Sequence, residues 1–361
     1  MSGYLVRRVF SGLVIVFALT WVTFALFWLL PAEPWRAIVY DANPTPAQIK
    51  AANHQLGVDR PVVVQYGKYV WRIVRHGSFG KDWYGGDVNA SLKRTLPITW
   101  AIVGGGAVLL FLLAVPLATI SALRANTGLD RAILMFSIAG VALHPFIIGI
   151  GLRAFFAHRL HWLPSFYYCP LRGSVQLPTA SPGDVNYTYT TCGGSRDWAS
   201  HLALPWVTFA VIFLPLYMRM LRGSIVEVLE QPYVLTARAK GVGVIRLLRT
   251  HVLRNAMLQP LTMIGMEIGL ALTVAIYIET MFLLNGAGHL AIGTLGYGSG
   301  IAVGEGRIVG GSGGGFNLPI LAGVMFMIAF TVIVLNLIVD LTYAYLDPRI
   351  RLGGRAEEEA A

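Results

Sequence analysis

The run VFSGLVIVFALTWVTFALFWLL, residues 9–30, holds 22 consecutive uncharged residues. At about 1.5 Å of rise per residue, a helix of that length covers the roughly 30 Å of a bilayer's hydrocarbon core. Five more apolar runs follow, within 95–123, 132–152, 198–218, 255–283 and 318–339. The fifth of the six is interrupted by Glu267 and Glu279. The chain therefore reads as an all-α polytopic membrane protein with six transmembrane helices, a single transmembrane domain over residues 1–361. Of its residues 55% are hydrophobic and 13% charged, about half the charged share of a soluble domain. A net charge of +10 would suggest nucleic acid in a soluble chain; here it fits basic loops beside anionic lipid. The opening MSGYLVRR is like the start of a signal peptide, but the run after it is long and ends in LLPAEPW without a small-residue cleavage site. It reads as a retained first helix.

Charge bias orients the helices. With the N-terminus inside, segments 1–8, 124–131, 219–254 and 340–361 hold 14 Lys and Arg in about 74 residues. The outer segments 31–94, 153–197 and 284–317 also hold 14, spread over about 143 residues. The expected topology is N-in/C-in, in the cell (inner or cytoplasmic) membrane, with the acidic tail RAEEEAA in the cytoplasm.

Three external segments and one internal segment stand out. In 31–94, Thr45, Pro46 and Gln48 predict an N-cap followed by a proline in the first helical turn. Residues 62–74 carry apolar side chains at helical spacing and predict a short interfacial or pore-capping helix. The loop 158–197 holds the only two cysteines, Cys169 and Cys192. A disulfide between them would close a 24-residue loop, worth roughly 3 kcal/mol in chain entropy, with two unrelated thiols as the other reading. With no histidine pair nearby they make a poor metal site. The segment 284–317 is glycine-rich, but no Gly-Lys-Ser/Thr follows to make a phosphate loop.

The internal segment, 223–254, contains YVLTARAKGVGVIRLLRTHVL. It predicts a helix, a turn at Gly241 and Gly243, and a second helix with Ile245, Leu248 and Val252 on one face. Ala237 and Gly241, four apart, leave a side-chain-poor patch that another surface can approach closely. Three roles fit: a basic helix resting on anionic lipid, a nucleic-acid contact, or a dock for a soluble partner. A short hairpin tethered between spans sets nucleic acid aside.

These residues carry a resemblance. The stretch YVLTARAKGVGVIRLLRTHVLRNAMLQPLT resembles the cytoplasmic EAA loop of inner-membrane permease subunits of ATP-binding cassette importers for dipeptides, oligopeptides or nickel. Leu235-Thr236-Ala237 stands where other importers have Glu-Ala-Ala, Gly241 is the motif's glycine, and His251, Arg254 and Asn255 fit its ending. The first span, QLGVDRPVVVQYGKYVWRIVRHGSFG, IETMF, GAGHL and NLIVDLTYAYLDPRIR resemble further parts of that family in order. The chain departs from it at Pro31-Ala32-Glu33-Pro34, where Pro-Gly-Asp-Pro is usual, and at Asn285-Gly286, where Pro-Gly is usual.

The resemblance implies a non-enzymatic permease, half of a translocation pathway for di- or oligopeptides. It implies a second homologous permease subunit, two cytoplasmic ATPase subunits that hold the ATP and magnesium, and an external solute-binding protein. No cofactor is expected on this chain itself, and the bilayer is its other partner. A cytoplasmic coupling-helix loop between helices 4 and 5 would meet an ATPase through Thr236, Ala237, Arg238, Lys240, Gly241 and Gly243. Glu279 and Asp340 are expected to be structural polar groups near span ends, and Glu267 a pore-lining candidate. Nickel or another small solute is the alternative cargo. An ion-coupled secondary transporter is the alternative mechanism, though it would not need the basic hairpin.

Overall fold

A computed structural model describes residues 2–29, 35, 39, 43–82, 85–178, 189–295, 301–302, 308–309 and 317–346. Pro31-Ala32-Glu33-Pro34, most of the glycine-rich stretch, the C-terminal signature beyond Leu346 and the acidic tail lie outside the described residues. Thirteen helices are described: α1 Ser2–Leu29, α2 Pro46–Leu56, α3 Val62–His76, α4 Val88–Leu123, α5 Gly128–Ala142, α6 Pro145–Leu152, α7 Ser195–Leu229, α8 Pro232–Ala239, α9 Val244–Leu247, α10 Leu253–Ala256, α11 Leu258–Met281, α12 Ala287–Thr294 and α13 Leu318–Leu346. Two antiparallel strand pairs lie in the segments expected as loops, β1 Val175–Pro178 with β2 Tyr189–Cys192 and β3 Ile301–Ala302 with β4 Ile308–Val309.

The expectation of six transmembrane helices is corrected. Among the described residues, four helices are long and apolar enough to cross a membrane: Val88–Leu123, Ser195–Leu229, Leu258–Met281 and Leu318–Thr342. The third expected span, 132–152, is two helices. Leu143 and His144 are extended, with ψ of 128° and 139°, because Pro145 pushes the residue before it out of helical geometry. His144 then caps α6, its ring accepting from the Phe146 N–H at 3.2 Å. After α6 the chain passes into a π-helical turn, Arg153–Arg159. The first expected span is helical from Ser2, yet its described apolar stretch, Phe10–Ala25, falls short of 18 residues.

The described chain divides into two compact units, one of residues up to 100 with 283–333, the other of 101–282 with 334 onward. In the first, Phe79, Val88, Leu92, Leu96, Leu290 and Ile320 are among the buried residues that form the core. It draws on the start of α4, on α12 and on the start of α13. Polar groups at its edge are paired: the Ala287 N–H that opens α12 donates to Thr99 Oγ1 at 2.9 Å, and Asn317 Nδ2 donates to Asp82 Oδ2 at 3.3 Å. In α2, Thr45 and Gln48 form a reciprocal cap, with the Thr45 N–H donating to Gln48 Oε1 at 2.7 Å.

In the second unit α7 is central and packs on α5, α6 and α11. It keeps Pro205 and Pro215 inside the helix. Small residues let the backbones approach. A Cβ at Gly106 of α4 would sit 2.6 Å from the Phe209 ring, and one at Gly140 of α5 would sit 2.6 Å from Pro215 Cγ. Apolar side chains gain little by leaving lipid, so close packing of this kind carries much of the helix association. At the far end of α11, Arg153 donates to the Met281 carbonyl at 2.8 Å while its guanidinium stacks 4.6 Å over Phe166. That satisfies one of the carbonyls left open at a helix C-terminus.

The Gly106 contact yields a prediction. Gly106→Leu should destabilise the purified protein by about 1–3 kcal/mol through overpacking against Phe209, read as a lower thermal midpoint in detergent. Gly104→Leu, whose Cβ position meets open space, should leave that midpoint near wild type.

Candidate functional site

Between α7 and α11 the chain folds back on itself. Pro232 opens α8 in the first helical turn, where its missing N–H costs nothing. The helix ends where the Lys240 N–H bonds Thr236 O at 3.1 Å and the Gly241 N–H bonds Arg238 O at 3.0 Å. Gly241 has φ +80°, a left-handed conformation that costs a residue with a Cβ about 1–2 kcal/mol. Its Cβ position would meet nothing, so backbone geometry and not crowding calls for glycine. Gly243 then starts α9.

The sequence expectation of one continuous second helix fails. α9 gives way to a π-helical turn, Leu248–Val252, before α10. The extra residue per turn rotates the faces, so the buried side chains are Leu247, Val252 and Ala256, while Ile245 is 75% exposed. Val234 of α8 is also buried, and the π turn, α8 and α10 all pack on α7. Asn255 Nδ2 donates to Tyr233 OH at 2.7 Å and closes the base of the hairpin.

Of the residues the sequence singled out, Thr236, Arg238, Lys240, Gly241 and Gly243 are exposed together on this hairpin, and Ala237 is half-buried. Tyr233, Leu235, Val244 and Ile245 are exposed with them. The surface is thus apolar with a basic edge, suited to burial against a protein partner.

The hairpin is bolted to the bundle by groups that sequence reasoning missed. Arg222, two turns before the end of α7, makes a bidentate ion pair with Asp130, Nε and Nη2 each 2.6 Å from a carboxylate oxygen. Asp130 also accepts from Ser121 Oγ of α4 at 2.5 Å and from the Asn126 N–H at 2.9 Å. Its side chain is 3% exposed. Two residues on, Ser224 Oγ donates to the Ala256 carbonyl at 3.0 Å. Arginines near the end of a mostly apolar helix and an aspartate beside a Thr127 N-cap were the available signals. Their separation of 92 residues hid the pairing.

Glu267 on α11 is half-buried, and its Oε2 has no hydrogen-bond partner. It stands one turn beyond Met263 and two beyond Gln259, on the α11 face that borders a groove of about 530 Å³. The groove's α7 wall carries Arg219, Met220 and Glu227. Glu279 is fully buried and Asp340 half-buried, and neither is without a partner. Cys169 and Cys192 are joined by a disulfide at the base of the β1–β2 hairpin. His201 Nδ1 lies 3.0 Å from the Tyr167 carbonyl, so it carries the proton, and Nε2 faces Cys192 Sγ at 3.8 Å. These three side chains could hold a metal only with free thiols, and both sulfurs are spent in the disulfide.

A membrane-embedded bundle with an exposed, rigidly held hairpin and no assembled acid–base or nucleophilic group among the described residues fits a transport component. The comparisons with known proteins give it a family. Residues 114–352 match the binding-protein-dependent transport system inner membrane component, and residues 1–85 match the N-terminal model of such components. A Brucella suis biovar 1 protein provisionally named a peptide permease is 32% identical over 358 residues, covering 98% of this chain and 100% of the relative. The dipeptide transport system permease protein DppB of Alkalihalophilus pseudofirmus is 28% identical over 365 residues, covering 97% and 100%. The chain belongs to the family of binding-protein-dependent transport system inner membrane components, and is a non-catalytic, multi-pass membrane subunit.

The ion pair generates a prediction with a defined sign. Arg222, helped by the Ser121 and Asn126 hydrogen bonds, holds the Asp130 carboxyl well below the usual carboxylate range. A group so depressed stabilises the fold above its unfolded pKa of about 3.9 and loses that contribution as pH falls below it. Asp130→Asn should cost about 1–3 kcal/mol at neutral pH, since it leaves a half-buried guanidinium without its charged acceptor. Melting curves from pH 7 down to pH 3 should show wild type losing more stability on acidification than the variant.

Proposed function

We propose that this chain is the permease subunit of an ATP-driven importer, forming half of the pathway for di- or oligopeptides that an external binding protein delivers. The observation that carries the reading is the hairpin of α8 and α9. Its exposed residues form a patch of apolar and basic groups, while its buried ones seat it on α7. A partner ATPase that receives this hairpin can pass its own closing motion straight into α7 and, through Arg222 and Asp130, into α4 and α5. The names of the relatives, a dipeptide permease among them, support the peptide class.

On this reading segment 223–254 is the cytoplasmic coupling loop, both termini lie in the cytoplasm, and 31–94, 158–197 and 284–317 are external. Thr236, Ala237, Arg238, Lys240, Gly241 and Gly243 form the ATPase contact, with a second homologous permease completing the pathway. Glu267 lines that pathway, where a half-buried carboxylate can meet a peptide's ammonium group. Glu279 and Asp340 hold helices together. ATP and magnesium belong to the ATPases, whose closure shifts the permease between inward- and outward-open states.

The test uses the reconstituted importer. A cysteine at Ala237 should crosslink to one in the hairpin-receiving surface of the ATPase, and its absence in an assembled complex would refute the coupling role. Gly241→Val should cut ATP-driven uptake of a labelled dipeptide at least tenfold while the subunit remains in the membrane. Uptake should be competed by peptides and not by nickel ions; the reverse result would replace the cargo and leave the coupling role standing.

A further inference from the structure

Helix α3, Val62–His76, has two apolar faces. One is inward: Tyr66 OH bonds Thr20 Oγ1 at 3.0 Å, Tyr66 packs edge-on with Phe17 and against Phe24 at 5.3 Å, and Tyr69 meets Phe24 at 6.2 Å. Tyr69 and Ile73 also pack against the core of the first unit. The other face is uncovered. Val63 is 80% exposed, Val74 77%, Trp71 60% and Val64 43%. At 100° per residue these four fall on one strip, with Gly67 and Val70 between them. Lys68 and Arg75 border the strip on one side, and the Arg75 guanidinium lies 5.4 Å over the Trp71 ring. No residue of α3 is fully buried.

A second apolar face on an exposed helix needs a partner, and the position of α3 indicates which. It joins α1 at Phe17, Thr20 and Phe24, the last turns of the described apolar stretch Phe10–Ala25. At that same level α1 exposes Phe17 (57%) and Trp21 (59%), side chains at home in lipid. The open strip of α3 therefore stands beside apolar surface that α1 also leaves uncovered. Valines on a strip edged by cations, with a tryptophan among them, match the boundary between acyl chains and phosphates.

We propose that α3 lies along the bilayer surface, with Val63, Val64, Trp71 and Val74 set into the headgroup–acyl boundary and Lys68 and Arg75 directed to lipid phosphates. The strip runs about 16 Å from Val63 to Val74, long enough to fix the tilt of the external segment against the membrane. The occupant is phospholipid; a face of the binding protein is the competing occupant. This goes beyond the transport reading and does not depend on the cargo.

The experiment places single nitroxide labels on Val63→Cys, Val74→Cys and Arg72→Cys in the full-length chain. The permease is assembled into nanodiscs of phosphatidylethanolamine and phosphatidylglycerol. Cys169 and Cys192 are joined, so each introduced thiol takes the label alone. Labels at 63 and 74 should collide several-fold more with oxygen relative to a water-soluble nickel chelate than the label at 72 does. That contrast should persist when purified binding protein is added. Nickel accessibility at 63 and 74 equal to that at 72 would overturn the proposal. So would protection that arises only with the binding protein, which would reassign the strip to that partner.

Discussion

Asp130 and Arg222 meet where three helices and a loop converge, and much of the second unit depends on that meeting. A buried carboxylate is costly unless charge and hydrogen bonds compensate it, and a half-buried guanidinium supplies both. Here Ser121 of α4, the Asn126 N–H of the following turn and the forked arginine of α7 supply the bonds. The pair thereby fixes where α5 may begin and how α7 is turned about its axis. Ser224, two residues further along α7, reaches the Ala256 carbonyl and ties the returning chain to the same helix. The hairpin between them is thus supported from both ends. Its inward side chains, Val234, Leu247, Val252 and Ala256, fill the remaining contact.

Lipid imposes the second constraint. A backbone group unbonded in hydrocarbon costs several kcal/mol, so long helices dominate wherever the sequence allows them. Their association then rests on fit. Gly106 against Phe209 and Gly140 against Pro215 are places where a single methyl would separate helices. Where a helix must break, as at Leu143, the freed groups are retrieved locally: His144 turns its ring to the Phe146 N–H, and Arg153 serves the carbonyl of Met281.

Legibility followed the range of the physics. The long apolar runs announced α4, α7, α11 and α13 because helix formation in lipid is decided by local composition. The Thr45–Gln48 cap was readable for the same reason, as was the turn at Gly241, since both need only three or four neighbouring residues. The break in 132–152 is also local, written in His144-Pro145, although the apolar length of the run favours a single span. The π turn at Leu248–Val252 was not readable: one extra residue per turn leaves no mark in composition, yet it moved Ile245 from the expected inner face to the surface. The Asp130–Arg222 pair was least readable of all, because two charges 92 residues apart announce only that each needs some partner.

The same contrast separates how the protein is powered from what it carries. In the coupling role proposed for it, the hairpin must present a fixed backbone shape to its partner, and fixed shape demands particular residues: a proline at the start of α8 and a left-handed glycine at its end. Such demands leave a motif. A pathway for peptides makes weaker demands, because every peptide offers the same backbone amides and termini and passage requires that no contact hold too long. On the proposed pathway, one half-buried carboxylate such as Glu267, near a groove of polar, charged and methionine side chains, would be enough to receive an ammonium group without retaining it. Selection can then reside upstream, in the protein that delivers the solute, and the permease sequence stays correspondingly silent about it.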